Sequence, residues 1–162
     1  MRKGFGIVQV IMIIMIVSGM LALALRYARI TVEHTSDSYL REEAELFMRS
    51  SVELAMYSIS GYDRTVNNNC LASFVINSPH ENGIPRFIAD VNITDYYLFN
   101  TANIDDDYDI CNNSAGGKYV VHSISTEESH GMVMLEIIVR ANPNHPRNKN
   151  RVRIVRRTLQ KI

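Results

Sequence analysis

An uncharged apolar stretch over residues 5–25 (FGIVQVIMIIMIVSGMLALAL) constrains this chain more than any other feature of its sequence. Because roughly 20 helical residues cross the hydrocarbon core of a bilayer, this stretch predicts a transmembrane helix. Its polar side chains, Gln9 and Ser18, are compatible with lipid because a helix bonds its own backbone groups. The rest of the chain is therefore predicted to be delivered to a membrane.

Two simple interpretations of this stretch are a signal-anchor helix that holds an outer domain and a cleaved secretory signal peptide. A signal peptide is favoured by the basic residues Arg2 and Lys3 and by the small-x-small sequence Ala22-Leu23-Ala24, which has the form of a cleavage site. The apolar run is, however, longer than the roughly 7–15 residues that are usual in the apolar region of a signal peptide.

A third interpretation rests on the sequence Arg2-Lys3-Gly4-Phe5, which directly precedes the apolar helix. This basic-basic-Gly-Phe arrangement resembles the class III leader of type IV prepilins and type II secretion pseudopilins. The resemblance covers the N-terminal helix. It implies that residues 1–4 are a leader peptide, that a prepilin peptidase cuts between Gly4 and Phe5, and that Phe5 is then N-methylated.

Gln9 departs from the pattern of that family, whose major subunits carry Glu at the fifth mature position. That Glu is thought to pair with the amino terminus of a neighbouring subunit, whereas Gln has no charge to offer and is less costly to bury in hydrocarbon. The resemblance therefore implies that Gln9 occupies the assembly position of a minor subunit, used in few copies at the initiation or tip of a filament. Arg26 stands where the family has Pro.

The helical pattern continues beyond the apolar stretch, and no Pro occurs before Pro79. An apolar stripe predicts one helix from Phe5 to about Ser60, roughly 56 residues and about 84 Å long, with Gly61 as its stop. Residues 5–25 are then a transmembrane or filament-core helix, and residues 26–61 its amphipathic continuation. The stripe consists of Leu40, Ala44, Phe47, Met48, Ser51, Leu54, Ala55 and Ser58.

Residues 62–162 are long enough for one small globular head. Turn-prone residues predict a linker over 62–69 and loops over 78–83, 101–117 and 142–150. Apolar and β-branched runs predict a short strand or helix over 70–77 and a strand over 85–100 with a break at 90–92. They also predict an antiparallel hairpin of 118–126 and 132–141, followed by an edge strand over 151–162. The predicted fold class is α+β, and the resemblance implies that the second half of the long helix packs on a small antiparallel sheet, as in the lollipop shape of pilins.

Cys70 and Cys111 predict a single disulfide if the head is exported, with two buried free thiols as the alternative. Between them, Asp105, Asp107 and Asp109 alternate in a loop and offer the hard oxygen ligands that calcium prefers. The glycine and the distal Glu of an EF-hand are missing, so a solvated acidic loop is the alternative to an irregular calcium site. No other cofactor is predicted.

The charges are balanced overall, with 17 basic and 17 acidic residues, but they are segregated along the chain. Residues 65–142 hold ten acidic and three basic residues, whereas residues 143–162 hold seven basic residues and no acidic one. The basic tail predicts a solvated edge strand that meets an acidic neighbouring subunit. Nucleic acid is the less favoured partner because the net charge is zero and aromatic stacking platforms are scarce.

No catalytic constellation is recognisable, because the histidines lack ligand spacing and no nucleophile elbow or phosphate-binding loop occurs. The patterns and the resemblance together predict a minor pilin or pseudopilin, not an enzyme, assembled into a type IV pilus-like or type II secretion filament. Its implied partners are other pilin or pseudopilin subunits, the prepilin peptidase, an inner-membrane assembly platform and, before assembly, membrane lipid. Its implied location is the inner membrane, as a single-pass protein with the head in the periplasm, and then a periplasmic or cell-surface filament. The alternative is a single-pass anchored envelope protein with a small binding head, for example for calcium.

Overall fold

The computed structural model describes residues 5–81, 83–100, 107–126, 128, 130–146, 148 and 152–162. The structure is α+β, as predicted, and begins with one long helix, α1 (Phe5–Ser60), whose bounds match the predicted helix. The chain divides into two compact units, residues 1–40 and residues 41–162. The first unit holds the larger part of α1, and the second holds the end of α1 and the sheet.

Within the first unit, local side-chain bonds accompany the change from apolar to polar sequence. The hydroxyl of Thr31 donates to the carbonyl of Tyr27 at 3.0 Å, and that of Thr35 donates to the carbonyl of Thr31 at 2.9 Å. Arg29 and Glu33 form an ion pair at 3.2 Å one turn apart. Pairs at this spacing support an exposed helix, so polar residues continue α1 without burial.

The end of α1 follows the sequence signals closely. The helix ends before Gly61, as predicted, and the Gly61 amide donates to the carbonyl of Tyr57 at 3.0 Å. A short helix, α2 (Arg64–Asn67), lies within the predicted linker. Its N-cap residue, Asp63, accepts a bond from the Val66 amide at 3.0 Å, and this bond lowers the pKa of the Asp63 carboxyl.

The described residues of the second unit form a five-stranded sheet and a separate two-stranded ladder. The strands are β1 (Ser73–Asn77), β2 (His80–Glu81), β3 (Ile84–Pro85), β4 (Phe87–Phe99), β5 (Val120–Ile124), β6 (Met132–Ala141) and β7 (Arg153–Lys161). The large sheet has the order β1-β4-β6-β7, with β5 also paired to β4, and the ladder pairs β2 with β3. The segment 70–77 therefore contains a strand, β1, rather than a helix, and the predicted loop 78–83 contains a strand of the ladder.

The predicted hairpin of residues 118–126 and 132–141 is wrong, because β5 and β6 lie on opposite edges of β4. β6 runs antiparallel along one edge of β4, whereas β5 runs parallel to residues 95–99 on the other. β1 covers that second edge only over residues 88–92. Unpaired backbone groups are unfavourable inside a fold, so β5 completes the edge that β1 leaves open. In the sequence, the short turn before β6 favoured a hairpin of β5 with β6. The long-range pairing of β5 with β4 leaves no local signal in the sequence.

β4 is continuous, so the predicted break at residues 90–92 is wrong. The irregularity lies at Thr94, where the register with β6 passes from Ile93 opposite Leu135 to Asp95 opposite Met134. This bulge shifts the alternation of buried residues by one position, so that Ile93 and Tyr96 both face the core. The polar residues 90–92 do not interrupt the strand because alternate side chains of a one-faced sheet point to solvent.

Of two further predictions from the sequence, one is wrong and one is confirmed. The predicted loop 101–117 contains a helix, α3 (Asp107–Ser114), so the loop prediction is wrong for these residues. β7 is the edge strand that was predicted, since it pairs with β6 over nine residues and no described strand covers its other side.

The core of the second unit lies between the end of α1 and one face of the sheet. The rings of Phe47 and Phe87 stack with their centroids 6.0 Å apart. The predicted stripe is wrong at Leu54, which is 45% exposed, and at Ser58, because the buried face follows a strict 3.6-residue period. That face consists of Ala44, Met48, Ser51, Ala55 and Ile59, and it meets Phe87, Ala89, Val91, Ile93, Tyr96 and Leu98 of β4 with Val133, Leu135, Ile137 and Val139 of β6.

Candidate functional site

The most extensive candidate functional surface is the apolar part of α1. The large apolar side chains between Ile7 and Leu25 are each 52% to 71% exposed, so no face of this segment is covered within the chain. Among the described residues, one helix is long and apolar enough to cross a membrane, and it is this one. Because exposed apolar surface of this extent is unfavourable in water, the segment requires lipid or other protein around it.

The predicted processing and assembly residues lie at the start of this surface. Phe5 is the first residue of α1, and Gly4 lies outside the described residues, so cleavage between them stays a prediction. Gln9 follows about one turn into the helix and is exposed. Ser18 is satisfied locally, since its hydroxyl donates to the carbonyl of Met15 at 3.0 Å. Gln9 is therefore the polar group that this surface offers to a neighbour near its start.

The predicted disulfide between Cys70 and Cys111 is confirmed. Both residues are buried, and their Cα atoms are 5.1 Å apart. The bridge joins the chain just before β1 to α3, and the two cysteines are 41 residues apart in sequence. Disulfides persist in oxidising compartments, so the bond is the structural feature that points to a head outside the cytoplasm.

The predicted calcium ligands are not brought together in the described residues. Asp107 and Asp109 lie in the first turn of α3, and residues two apart in a helix point about 200° away from each other. The Asp107 carboxylate is also bound by the guanidinium of Arg64. Asp105 lies outside the described residues. The carboxylates that can be placed therefore do not converge on one ion, and the calcium site stays a prediction.

A polar cluster around Asp107 was not predicted from the sequence. Arg64 of α2 binds this carboxylate and places its guanidinium 5.9 Å from the ring centre of Tyr96. His130 faces the same carboxylate at 3.8 Å and accepts a bond from the Phe99 amide at 3.1 Å. Arg64 and Asp107 are 43 residues apart, so no spacing rule could have joined them. The cluster fastens α2 and α3 to the end of β4.

Tyr96 lies beneath this cluster as a buried anchor. Its hydroxyl donates to the carbonyl of Leu71 at 2.6 Å, and its ring meets that of Tyr119 edge-on at 5.2 Å between centroids. Burial raises the pKa of Tyr96 well above the ordinary value. A phenol that stays protonated is a permanent hydrogen-bond donor, so Tyr96 serves packing rather than proton transfer.

An Asp–His pair links β4 to β5. His122 bonds to the carboxylate of Asp95 at 2.9 Å, and its ring stacks on that of Tyr97 at 4.8 Å between centroids. The bond from His122, with a second one from Thr94, lowers the pKa of Asp95. In the described part of the chain, no serine, threonine or cysteine side chain bonds to His122. Its described contacts therefore join β5 to β4.

The predicted basic tail is divided between the two faces of β7. Arg153, Arg157 and Lys161 alternate on one face and Arg156 points to the other, while Arg147, Lys149 and Arg151 lie outside the described residues. Arg157 is paired with Glu136 at 2.9 Å, and the Lys161 ammonium donates to the Glu128 carbonyl. The described cations thus do not form one continuous track of the kind that follows a phosphate backbone.

The comparisons with known proteins found no matching protein family, no matching curated protein and no matching solved structure. The likeness to known proteins is therefore one of architecture alone. A long apolar N-terminal helix whose end packs on a mostly antiparallel sheet is a pilin-like arrangement.

Proposed function

We propose that this chain is a minor pilin or pseudopilin, a structural subunit of a type IV pilus-like or type II secretion filament. The observation that carries the proposal is α1, which is apolar and exposed on all sides over residues 6–25 and ends as the packing partner of a sheet. A simple membrane anchor needs only a spanning helix, whereas a filament subunit needs a helix surface that can exchange lipid for neighbouring helices.

In this function, the prepilin peptidase cuts after Gly4 and Phe5 becomes the N-methylated first residue. The head folds in the periplasm, where Cys70 and Cys111 are oxidised, while residues 6–25 lie in the inner membrane. An assembly platform then moves the subunit from lipid into a filament. Apolar packing drives this step, since the same side chains are in contact with lipid before it and with other helices after it.

Gln9 supports a minor role within such a filament. It is exposed near the start of α1 and carries no charge, so it can form a hydrogen bond but cannot neutralise the amino terminus of a neighbour. A subunit with this side chain is suited to a position at the initiation or tip of a filament, where no subunit has to be paired above it.

The proposed role is structural rather than catalytic. The polar clusters of the head, around Asp107 and around Asp95, bind their own chain across α2, α3, β4 and β5. Both therefore use their charges to hold the fold together.

The experiment that tests the function is the intact mass and N-terminal sequence of the protein taken from its native membranes. The expected result is a chain that starts at N-methylated Phe5. A start after Ala24 would identify a signal peptide and overturn the filament proposal. An uncut Met1 would overturn it too, in favour of a single-pass anchored envelope protein with a small binding head.

A further inference from the structure

Charge is segregated across the sheet of the head as well as along the sequence. β7 carries four basic residues and no acidic one, and it forms one end of the strand order β1-β4-β6-β7. α3 carries two acidic residues and no basic one. It packs against β5, which lies on the far side of β4 from β6 and β7. A basic edge and an acidic edge therefore lie on opposite sides of the same sheet.

Arg153 and Arg156 are the arginines of the basic edge that make no ion pair within the described residues, and Arg153 is the one on the face that also carries Arg157. It lies directly opposite Arg140 in the register of β6 and β7. Like charges at directly opposite positions are unfavourable in a sheet. Arg140 has Asp90 at 3.3 Å, whereas Arg153 makes no ion pair in the described part of the chain.

Arg157, which lies beyond Val155 on the same face as Arg153, shows how this sheet neutralises an arginine. Arg157 lies directly opposite Glu136 and binds its carboxylate at 2.9 Å. Four residues away, the place that such a carboxylate would take opposite Arg153 is occupied by another arginine, Arg140. The face is otherwise apolar at this point, since Val155 lies between the two arginines and is 44% exposed. Arg153 therefore presents a guanidinium beside an exposed apolar side chain, which is a combination suited to a protein partner that brings a carboxylate.

The acidic edge has an unbalanced charge of the opposite sign. Asp107 is bound by Arg64, but Asp109, two residues further along α3, makes no ion pair within the described residues. It is half-buried rather than fully exposed. Among the described residues, Asp109 at the α3 edge and Arg153 at the β7 edge are therefore charges of opposite sign that make no ion pair.

We propose that the β7 edge of one copy docks against the α3 edge of a second copy, with Asp109 as the counterion of Arg153. A two-fold contact of β7 with β7 is disfavoured because it would bring basic side chains together. The contact is therefore head-to-tail, with unlike edges of the two copies facing each other. The inference rests on the proposed function, for which it supplies one lateral contact between the few copies that lie together at the initiation of a filament.

The test uses the full chain in native membranes with a photo-reactive amino acid in place of Val155. The expected result is a crosslinked dimer whose linkage maps to residues 107–114 of the second copy. Arg153→Glu and Asp109→Arg should each lower the yield of this dimer about fivefold, and the chain that carries both changes should restore it. Raising the salt concentration should lower the yield of the wild-type dimer as well.

The matched control is Arg156→Gln, which removes an exposed arginine of the same strand that points to the other face. This change lowers only the general electrostatic attraction, to which all cations of the strand contribute. The yield of the crosslinked dimer should therefore stay within about twofold of the wild type. An equal loss in this control would overturn the proposal. So would a crosslink to β7 of the second copy, to lipid or to nucleic acid, the absence of any crosslink, or a double change that restores nothing.

The two proposals fail in distinguishable ways, because crosslinking in the membrane requires no filament. A chain that starts at N-methylated Phe5 but gives no crosslink to residues 107–114 would overturn only the edge contact. A chain that keeps Met1 and gives the crosslink would overturn only the filament function.

Discussion

At the scale of single residues, one ion pair fastens the end of α1 to the sheet. Arg86, just before β4, meets the carboxylate of Glu43 at 2.5 Å and holds its guanidinium 5.6 Å from the ring centre of Phe87. The side chain of Arg86 is only 16% exposed and that of Glu43 is 32% exposed, so the ion pair is largely shielded from solvent. This pair lies beside the stacked rings of Phe47 and Phe87 and extends the apolar contact with a polar one.

Arg86→Ala is expected to lower the free energy of unfolding by about 1–3 kcal/mol, because it leaves a half-buried carboxylate without its counterion. The matched control is Arg41→Ala, since Arg41 is 75% exposed and lies 3.8 Å from Glu45. That change should stay within about 0.5 kcal/mol. The measurement is urea denaturation of the full chain in detergent, followed by tyrosine fluorescence because the chain has no Trp. Equal losses in both variants would contradict the assignment.

The Asp95–His122 pair predicts a pH dependence of stability. Because the hydrogen bond from His122 lowers the pKa of Asp95 in the folded chain, the unfolded state binds a proton first as the pH falls. The stabilisation is therefore complete above the ordinary Asp pKa of about 3.9 and is lost as the pH falls through the lower folded value. In urea denaturation between about pH 5 and pH 2, Asp95→Asn and His122→Gln should both flatten this loss. A wild-type slope in both variants would show that other carboxylates are responsible.

Gln9 gives a prediction for assembly that follows from its missing charge. Gln9→Glu is expected to raise incorporation into filament shafts, because a carboxylate at this position can pair with the amino terminus of a neighbouring subunit. The measurement is the amount of the chain in sheared filaments relative to the membrane fraction. Ser18→Glu is the control, since it adds the same charge to α1 at a position where the native hydroxyl is bonded within the helix. Unchanged incorporation of the Gln9 variant would weaken the minor-subunit role.

At the scale of elements, β4 organises the head. It is the longest strand, it pairs with β1, β5 and β6, and its bulge at Thr94 keeps core side chains on one face along its whole length. The segment between β4 and β5 carries α3, which is attached to the start of β5 by the bond between the hydroxyls of Ser114 and Tyr119 at 2.8 Å. The position of α3 therefore depends on β4 through β5 and on β1 through the disulfide.

Removal of the disulfide by Cys70→Ser with Cys111→Ser is expected to lower the free energy of unfolding by about 3–4 kcal/mol, chiefly because the 41-residue loop gains freedom in the unfolded chain. The measurement is urea denaturation of the double variant beside reduced and oxidised wild type. Reduced wild type is the control, because it should match the variant. A variant as stable as the oxidised wild type would mean that α3 is held by the Arg64–Asp107 contact instead.

At the scale of the whole molecule, the chain combines a segment that needs an apolar environment with a head that folds around its own core. The side chains of residues 6–25 are uniformly exposed, whereas the second unit buries a contiguous set from α1, β4 and β6. Membrane insertion and head folding thus depend on different residues. Only the apolar segment has to change its surroundings during the proposed assembly.

Replacement of residues 6–25 by an unrelated spanning helix of equal length separates the two functions considered. The expected result is a chain that stays in the membrane and forms the Cys70–Cys111 disulfide but no longer enters filaments, because helix packing depends on side-chain shape whereas insertion depends on apolarity. The measurement compares membrane and sheared-filament fractions, with disulfide formation as the control for a folded head. Normal incorporation of the replaced helix would favour the simple anchor.

The sequence by itself determined those features that depend on neighbouring residues. The bounds of α1, its stop at Gly61, the edge position of β7 and the mostly antiparallel α+β class follow from periodicity, from glycine and from alternation, which are local properties. The partner of Cys70 was also determined, because Cys111 is the other cysteine of the chain. In the candidate site, the apolar surface of α1 and the position of Gln9 could be read directly from the stretch itself.

Only the tertiary structure decided how distant segments meet. Three features each join residues 25 or more positions apart: the parallel pairing of β5 with β4 in place of a hairpin, the contact of Arg64 with Asp107, and the bond of Asp95 with His122. The helix α3, in place of a loop, depends on such contacts. The reason is physical: local propensities are worth only about 1 kcal/mol per residue or less, so the burial of β4 and the satisfaction of its edge override them.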